Sequence, residues 1–255
     1  MKILITNDDG IYSDGIQALR KSLEDDHEVY VFAPDRERSA TGHAITLHHP
    51  LRAEEVDFKD SKAVCKAIDG TPADCVKLGV EGILRELPDL VISGINKGPN
   101  LGTDVLYSGT VSAALEGMIM GIPALAISLV SHEIWDFTYA AEFTAQLVEW
   151  IEKEDFDHSF LLNVNVPSLP KEDIVDFSFT KLGKRTYTNA FEERTDPRGR
   201  TYYWMAGEVQ DDLEEEGTDV LAIKNNKISV TPISLNFTDF KMIEKLNAKK
   251  EELDF

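Results

Sequence analysis

Three short segments of this sequence carry side chains whose types and spacing suit chemistry on an anion. Asn7-Asp8-Asp9-Gly10 sets two carboxylates side by side directly after the apolar run Lys2–Thr6. Asp35–Gly42 (DRERSATG) follows a second apolar run and contains Ser39; Ser93–Gly109 (SGINKGPNLGTDVLYSG) follows a third and contains Asn96. Adjacent carboxylates are costly if both stay ionised and close together. Either one Asp caps the following turn while the other faces solvent, or a divalent cation removes the repulsion. Hard oxygen ligands suit Mg²⁺ or Mn²⁺, and a place at a strand end between Asn7 and Gly10 favours the cation. Ser39 and Asn96 are neutral donors able to complete such a shell, although Ser and Asn in loops are commonly turn formers.

A second feature lies at Tyr107-Ser108-Gly109-Thr110-Val111, where a Gly flanked by hydroxyls opens a helix. Free backbone N–H groups, the helix dipole and two hydroxyls make an anion site there, unless Ser108 is simply an N-cap. Beside a metal the segment reads as a phosphate cradle. Lys97, Arg36 and Arg38 are nearby cations, of which at least two are expected to be ordinary surface residues. Spacing excludes several other chemistries. No G-x-G-x-x-G follows the first strand, no G-x-x-x-x-G-K-[ST] occurs, and the His residues lack zinc-protease spacing. No G-x-S-x-G elbow is present. His43 is expected to be structural.

The elements that must position these groups alternate. Strands are expected at Lys2–Thr6, Glu28–Ala33, Asp89–Ile95, Pro123–Ser128 and Phe160–Val166. Helices are expected after Ser13 (Ile16, Leu19, Leu23), from the Thr71-Pro72 start through Leu84, over about Thr110–Met120, and along Phe137–Ile151. Ile45–Val56 and Ala63–Ile68 suggest a hairpin. This rhythm predicts an α/β fold, a Rossmann-like doubly wound and mostly parallel sheet. Ligands in such folds bind beyond the carboxyl ends of the strands, where all three segments fall. Past residue 170 the rhythm breaks. Phe177–Leu182, Tyr202–Ala206 and Lys227–Pro232 are strand-like, the charged stretches Glu192–Arg200 and Asp211–Glu216 separate them, and Phe240, Ile243 and Leu246 suggest a terminal helix. We expect one domain over 1–255, with a core over 1–170 and an extension over 171–255 suited to oligomer contacts or a lid.

Composition bounds the partners. The 255 residues include 46 Asp and Glu against 26 Lys and Arg, a net charge of −20. That field disfavours a stable nucleic-acid partner, and an anionic substrate needs local help from a metal or aimed N–H groups. The apolar N-terminal stretch is too short for a signal peptide and no apolar run is long enough for a membrane span, so a cytoplasmic, membrane-free protein is expected. Cys65 and Cys75 are expected to be buried, reduced thiols.

The segments ILITNDDGI (3–11), APDRERSATGHAIT (33–46), GTPADCV (70–76), SGINKGPNLGTDVLYSGTVSAALEG (93–117) and IPALAIS (122–128) closely resemble the SurE, or survival protein E, family of stationary-phase 5′/3′-nucleotidases. Past residue 170 the resemblance is looser, mainly TDVLAIKNNKISVTPI at 218–233. It implies a phosphomonoesterase for nucleoside monophosphates with one Mg²⁺ or Mn²⁺ per subunit. It places metal ligands at Asp8, Asp9, Ser39 and Asn96, and phosphate contacts at Ser108, Gly109 and Thr110, with Asn96 beside them. It further implies a C-terminal part exchanged between subunits of a homodimer or homotetramer. The chain departs from the family pattern at Asn236-Phe237-Thr238, where an Asp usually precedes the Thr.

The expected reaction is in-line attack of water on a metal-bound phosphate monoester, with one of Asp8 and Asp9 taking the proton and Thr110, Ser108 and N–H groups steadying the phosphoryl oxygens. Two rivals are weighed against it. A haloacid-dehalogenase-like phosphatase needs carboxylates two apart, and here they are adjacent. A non-catalytic nucleotide sensor would use the same residues without turnover.

Overall fold

In the computed structural model of the protein, residues 1–59, 61–131, 135–154, 156, 159–189 and 191–250 are described. The elements in chain order are β1 (Lys2–Thr6), α1 (Asp14–Leu23), β2 (Glu28–Pro34), β3 (Ala53–Val56), β4 (Val64–Ile68), α2 (Pro72–Lys77), β5 (Leu90–Lys97), α3 (Gly109–Ile119), β6 (Ala124–Val130), α4 (Thr138–Lys153) and β7 (Leu161–Pro167). The extension adds β8 (Asp176–Phe179), β9 (Arg185–Thr188), β10 (Phe191–Thr195), β11 (Thr201–Met205), β12 (Glu208–Asp211), α5 (Asp219–Lys224), β13 (Lys227–Ile233) and α6 (Phe240–Ala248).

Nine strands form the main sheet in the order β3-β4-β2-β1-β5-β6-β7-β13-β8. From β4 to β7 neighbouring strands are parallel, the Rossmann order in which strand sequence reverses between β1 and β5. Loops leaving β1 and β5 therefore face each other across a crevice. Alternation along β1 divides the core: Ile3 and Ile5 join Ile16, Leu19, Phe137, Ala140 and Val148 on the α1/α4 face. Leu4 joins Val76, Val80, Val111 and Ala113 on the α2/α3 face. The alternating rhythm of the sequence thus gives helices on both faces, as expected.

Local details depart from the expectations where tertiary context wins. Thr71 and Asp74 form the reciprocal cap that starts α2, but the helix widens into a π-helical turn over Leu78–Leu84 and stops at Arg85 in the left-handed region. The expected hairpin exists only as β3 and β4; residues 45–52 form no strand. Ser13 occupies the N-cap position of α1 without capping it, because its hydroxyl receives the Asn7 amide at 2.7 Å. The charged stretch from Glu192 is partly strand: β10 pairs with β11, Glu192 opposite Trp204 and Arg194 opposite Tyr202. Neither face of this hairpin is buried within one chain, so no buried–exposed alternation marks it. Likewise α6 has an apolar side, Phe240, Ile243 and Leu246, and buries no residue.

The extension is bolted to the core by a carboxylate. Asp219 at the start of α5 is fully buried and accepts N–H groups from Gly102 (2.8 Å), Gly183 (2.7 Å) and Val220 (2.8 Å). Gly102 belongs to the loop after β5. Asp219→Ala strands three buried donors, so urea unfolding should show a loss of about 3 kcal/mol. A loss below about 1 kcal/mol would mean that water replaces the carboxylate without cost.

Candidate active site

The chain segments singled out by sequence meet around Asp8, at the carboxyl end of β1. Asp8 is 5% exposed, and Thr110, itself fully buried, donates its hydroxyl to Asp8 Oδ1 at 2.6 Å. Gly109 lies flat against the same carboxylate, and a Cβ at that position would sit 2.9 Å from Asp8 Cβ and Oδ2. The backbone N–H of Arg38 donates to the Asp8 carbonyl at 2.7 Å, which brings the Ser39 segment against the first loop. On the other side, the Lys97 N–H donates to Asp9 Oδ2 at 3.0 Å and so places Asn96 beside Asp9. Asn7, fully buried, ties the turn together: its amide donates to the Gly10 carbonyl and its oxygen accepts the Gly10 N–H.

Burial dominates the electrostatics. It pushes the Asp8 carboxyl up to about 6, against the opposing pull of the Thr110 hydrogen bond, while the neighbouring Asp9 charge adds to the rise. Asp9 is also raised, first by burial, with the Lys97 N–H opposing, Glu37 adding to it and the Lys97 charge opposing. Two carboxylates are thus held where ionisation is unfavourable unless a positive charge joins them. Asp9 Oδ1 has no hydrogen-bond partner among the described residues, and Asn96 turns its amide NH₂ to the Gly98 carbonyl (2.8 Å), leaving its oxygen free. Ser39 is exposed and donates to Glu37 at 2.7 Å, so its oxygen lone pairs stay available. Among the described residues no cluster of three or more His, Cys, Asp or Glu suits a metal. The donor set is instead two carboxylates with neutral oxygens, which fits a hard divalent cation.

The loops are pinned from outside the site. Asn100 N–H donates to Asn165, the Asn100 amide to Ser128, and Asn163 and Asn165 both donate to the Asn100 carbonyl. Arg185 bridges Asp104 (3.0 Å) and Asp211 (2.7 Å), and the Tyr187 hydroxyl donates to Asp104 at 2.7 Å. The Ser39 loop is held where Gly42 N–H donates to the Tyr107 carbonyl, where His43 meets the buried Glu116 at 2.8 Å, and where Thr46 donates to Asp74. Cys65 and Cys75 are free and buried, as expected, and burial pushes both thiols up, Cys65 to about 11.

One finding lies beyond sequence reasoning: the Thr110 hydroxyl, assigned there to phosphate, is spent on Asp8, because the first turn of α3 sits directly against the Asp8 side chain. The N-cap alternative for Ser108 is realised as well: its hydroxyl accepts the Val111 N–H at 3.1 Å, so it caps α3 beside Asp8. The bracing by Asn163, Asn165, Arg185 and Asp219 joins residues 60 to 120 positions away in sequence, and no local motif signals it.

The family model for survival protein SurE matches residues 3–189. The 5′-nucleotidase SurE of Heliobacterium modesticaldum is 54% identical over 247 residues, covering 97% of this chain and 91% of that protein. That of Carboxydothermus hydrogenoformans is 52% identical over 258 residues, covering 100% and 98%. The crystal structure of the SurE protein from Aquifex aeolicus superposes with a TM-score of 0.84 at 43% identity, covering 98% of this chain and 99% of that one.

Asp8's neighbours are testable apart from the carboxylate itself. Gly109→Ala should weaken Mn²⁺ binding about tenfold or more by displacing Asp8, with Ser108 still capping α3. Thr110→Val removes a hydrogen bond that lowers the Asp8 carboxyl, so Mn²⁺ binding should require higher pH. Titration calorimetry between pH 5.5 and 8 reads both, and wild-type affinity in both variants would refute the packing described.

Proposed function

The chain belongs to the survival protein SurE family, and from that premise we propose that it is a divalent-metal-dependent phosphomonoesterase, a 5′-nucleotidase that cleaves nucleoside monophosphates to nucleoside and phosphate. The observation that carries the reading is the buried Asp8 beside the half-buried Asp9 at the switch point, with Asp8 crowded by Gly109 and Thr110 and the pair short of positive charge. Asp8, Asp9, Ser39 and Asn96 are the proposed ligands of one Mg²⁺ or Mn²⁺. When bound, such an ion neutralises phosphoryl charge and lowers the pKa of a coordinated water.

The chain's own groups divide the remaining work. Thr110 fixes the rotamer of Asp8 by its 2.6 Å hydrogen bond. Asp9, less buried and with Oδ1 unpartnered among the described residues, takes the proton from the attacking water. The N-terminal turn of α3, with Ser108 and Gly109 at its mouth, faces the phosphoryl oxygens with N–H groups and the positive end of the helix dipole. Asn96, placed beside Asp9 by the Lys97 N–H, would serve as a neutral donor–acceptor to the ion and to the phosphate. The adjacency of the two carboxylates argues against an Asp nucleophile in the D-x-D arrangement. Homodimers or homotetramers built through the extension are part of the proposal: Phe191, Trp204 and Met205 on the β10–β11 hairpin and Phe240 and Leu246 on α6 are exposed in one chain.

Phosphate release from 5′- and 3′-nucleoside monophosphates, with Mg²⁺, Mn²⁺ or EDTA, tests the reading. The wild type should turn over only with metal, and Asp9→Asn should lose at least about 100-fold in kcat while keeping its fold. EDTA-insensitive release, or normal turnover by Asp9→Asn, would contradict it. Tight nucleotide binding without release would point to the sensor.

A further inference from the structure

Three cations stand near the acidic pair, and the structure separates them. Arg36 lies 3.8 Å from Asp35 and points into solvent. Arg38 lies 3.5 Å from the same carboxylate and donates to the Asp69 carbonyl at 3.3 Å. Lys97 has no carboxylate partner among the described residues. Its backbone is fixed at the site by the N–H bond to Asp9, and its ammonium lies 5.1 Å above the Trp135 ring. Trp135 is half-buried and packs against the α1/α4 core.

We propose that Lys97, seated on Trp135, is the residue that recruits and orients the substrate's phosphate; this rests on the phosphomonoesterase reading above. In a chain of net charge −20 a phosphate dianion approaches against a repulsive field. Arg36 and Arg38 share the Asp35 carboxylate, and Arg38 is also turned to the Asp69 carbonyl; Lys97, held by an aromatic face, faces no competing carboxylate among the described residues and keeps its charge for an incoming anion. The cation–π contact also limits the freedom of the long side chain, so less entropy is lost when phosphate binds. Trp135 is thereby a positioning residue and Lys97 a binding residue.

Binding of inorganic phosphate to the full chain, saturated with Mn²⁺, separates this role from upkeep of the metal site. Lys97→Met should weaken phosphate about tenfold or more, with Mn²⁺ affinity held within about twofold because only the Lys97 backbone touches Asp9. Lys97→Arg should stay within about threefold of wild type, and Trp135→Ala should fall between. With nucleoside monophosphate as substrate, the Lys97→Met loss should appear mainly in KM, and kcat/KM should depend less steeply on salt. Unchanged phosphate affinity in Lys97→Met, or equal losses of phosphate and Mn²⁺ affinity, would overturn the assignment. Wild-type protein that binds Mn²⁺ and phosphate but releases none from nucleotides would sink the nucleotidase reading, while the same affinity ratios would still decide the role of Lys97. Wild-type protein that binds no phosphate would overturn both.

Discussion

At the end of β1, a carboxylate that is 5% exposed stands next to a second one inside a strongly acidic chain. Each surrounding feature follows from the cost of that arrangement. Gly109 is the residue type that can lie against Asp8 without a Cβ colliding with it. Thr110 supplies a short hydrogen bond, and the N-terminus of α3 supplies a positive dipole end. The end of β5 supplies the Lys97 N–H to Asp9, and the β2 loop fixes the turn through the Arg38 N–H to the Asp8 carbonyl. The hydrogen bonds to the carboxylates reduce the cost without removing it, since Asp8 remains pushed up to about 6. The unmet remainder is what a divalent cation answers, so the metal requirement is a consequence of packing as much as of ligand identity.

The same constraint explains the extension. Loops that hold a charged pair in place must themselves be held, and the β5 loop is anchored on two sides. Buried amides from β7 and Ser128 from β6 grip Asn100, while Asp219, Arg185 and Tyr187 from the extension grip Gly102 and Asp104. The extension therefore braces the site within a single chain, in addition to presenting the apolar hairpin and α6. Removing residues 171–255 would remove the extension's hold on the loop between Asn96-Lys97, at the end of β5, and Ser108, a coupling between stability and function carried by named hydrogen bonds.

Much of the core, and the gathering of most candidate site residues, were legible in the sequence for physical reasons. Apolar runs such as Lys2–Thr6 and Asp89–Ile95 are buried on both faces, so strand, strand end and loop chemistry stand in register. Asp8, Asp9, Asn96, Ser108 and Gly109 are all brought to one crevice by that register. Less legible were contacts set by distance: Thr110 serving Asp8, Asp219 reaching Gly102, and Trp135 seating Lys97 each join residues far apart in the chain. Of the β10–β11 hairpin, the aromatic Tyr202–Ala206 stretch was legible as the strand β11, whereas β10 escaped because a charged strand exposed on both faces leaves no alternation to read. The π-helical turn after Lys77 is likewise invisible, since its apolar positions also fit an ordinary helix.

Burial of Asp8 opposes its ionisation, and a divalent cation relieves the cost. For a carboxyl raised from 3.8 to about 6 in the folded state, the favourable contribution is present below about pH 4 and is lost as pH rises through 6. Chemical unfolding of wild type and Asp8→Asn, in EDTA and in Mn²⁺, from pH 4 to pH 7.5, isolates that contribution from other titrating groups. In EDTA the two should converge near pH 4, and Asp8→Asn should be the more stable at pH 7.5, by up to about 3 kcal/mol. Mn²⁺ should stabilise the wild type and leave Asp8→Asn little changed. Asp8→Asn less stable than wild type at pH 7.5 in EDTA, or equal gains from Mn²⁺ in both proteins, would contradict the account.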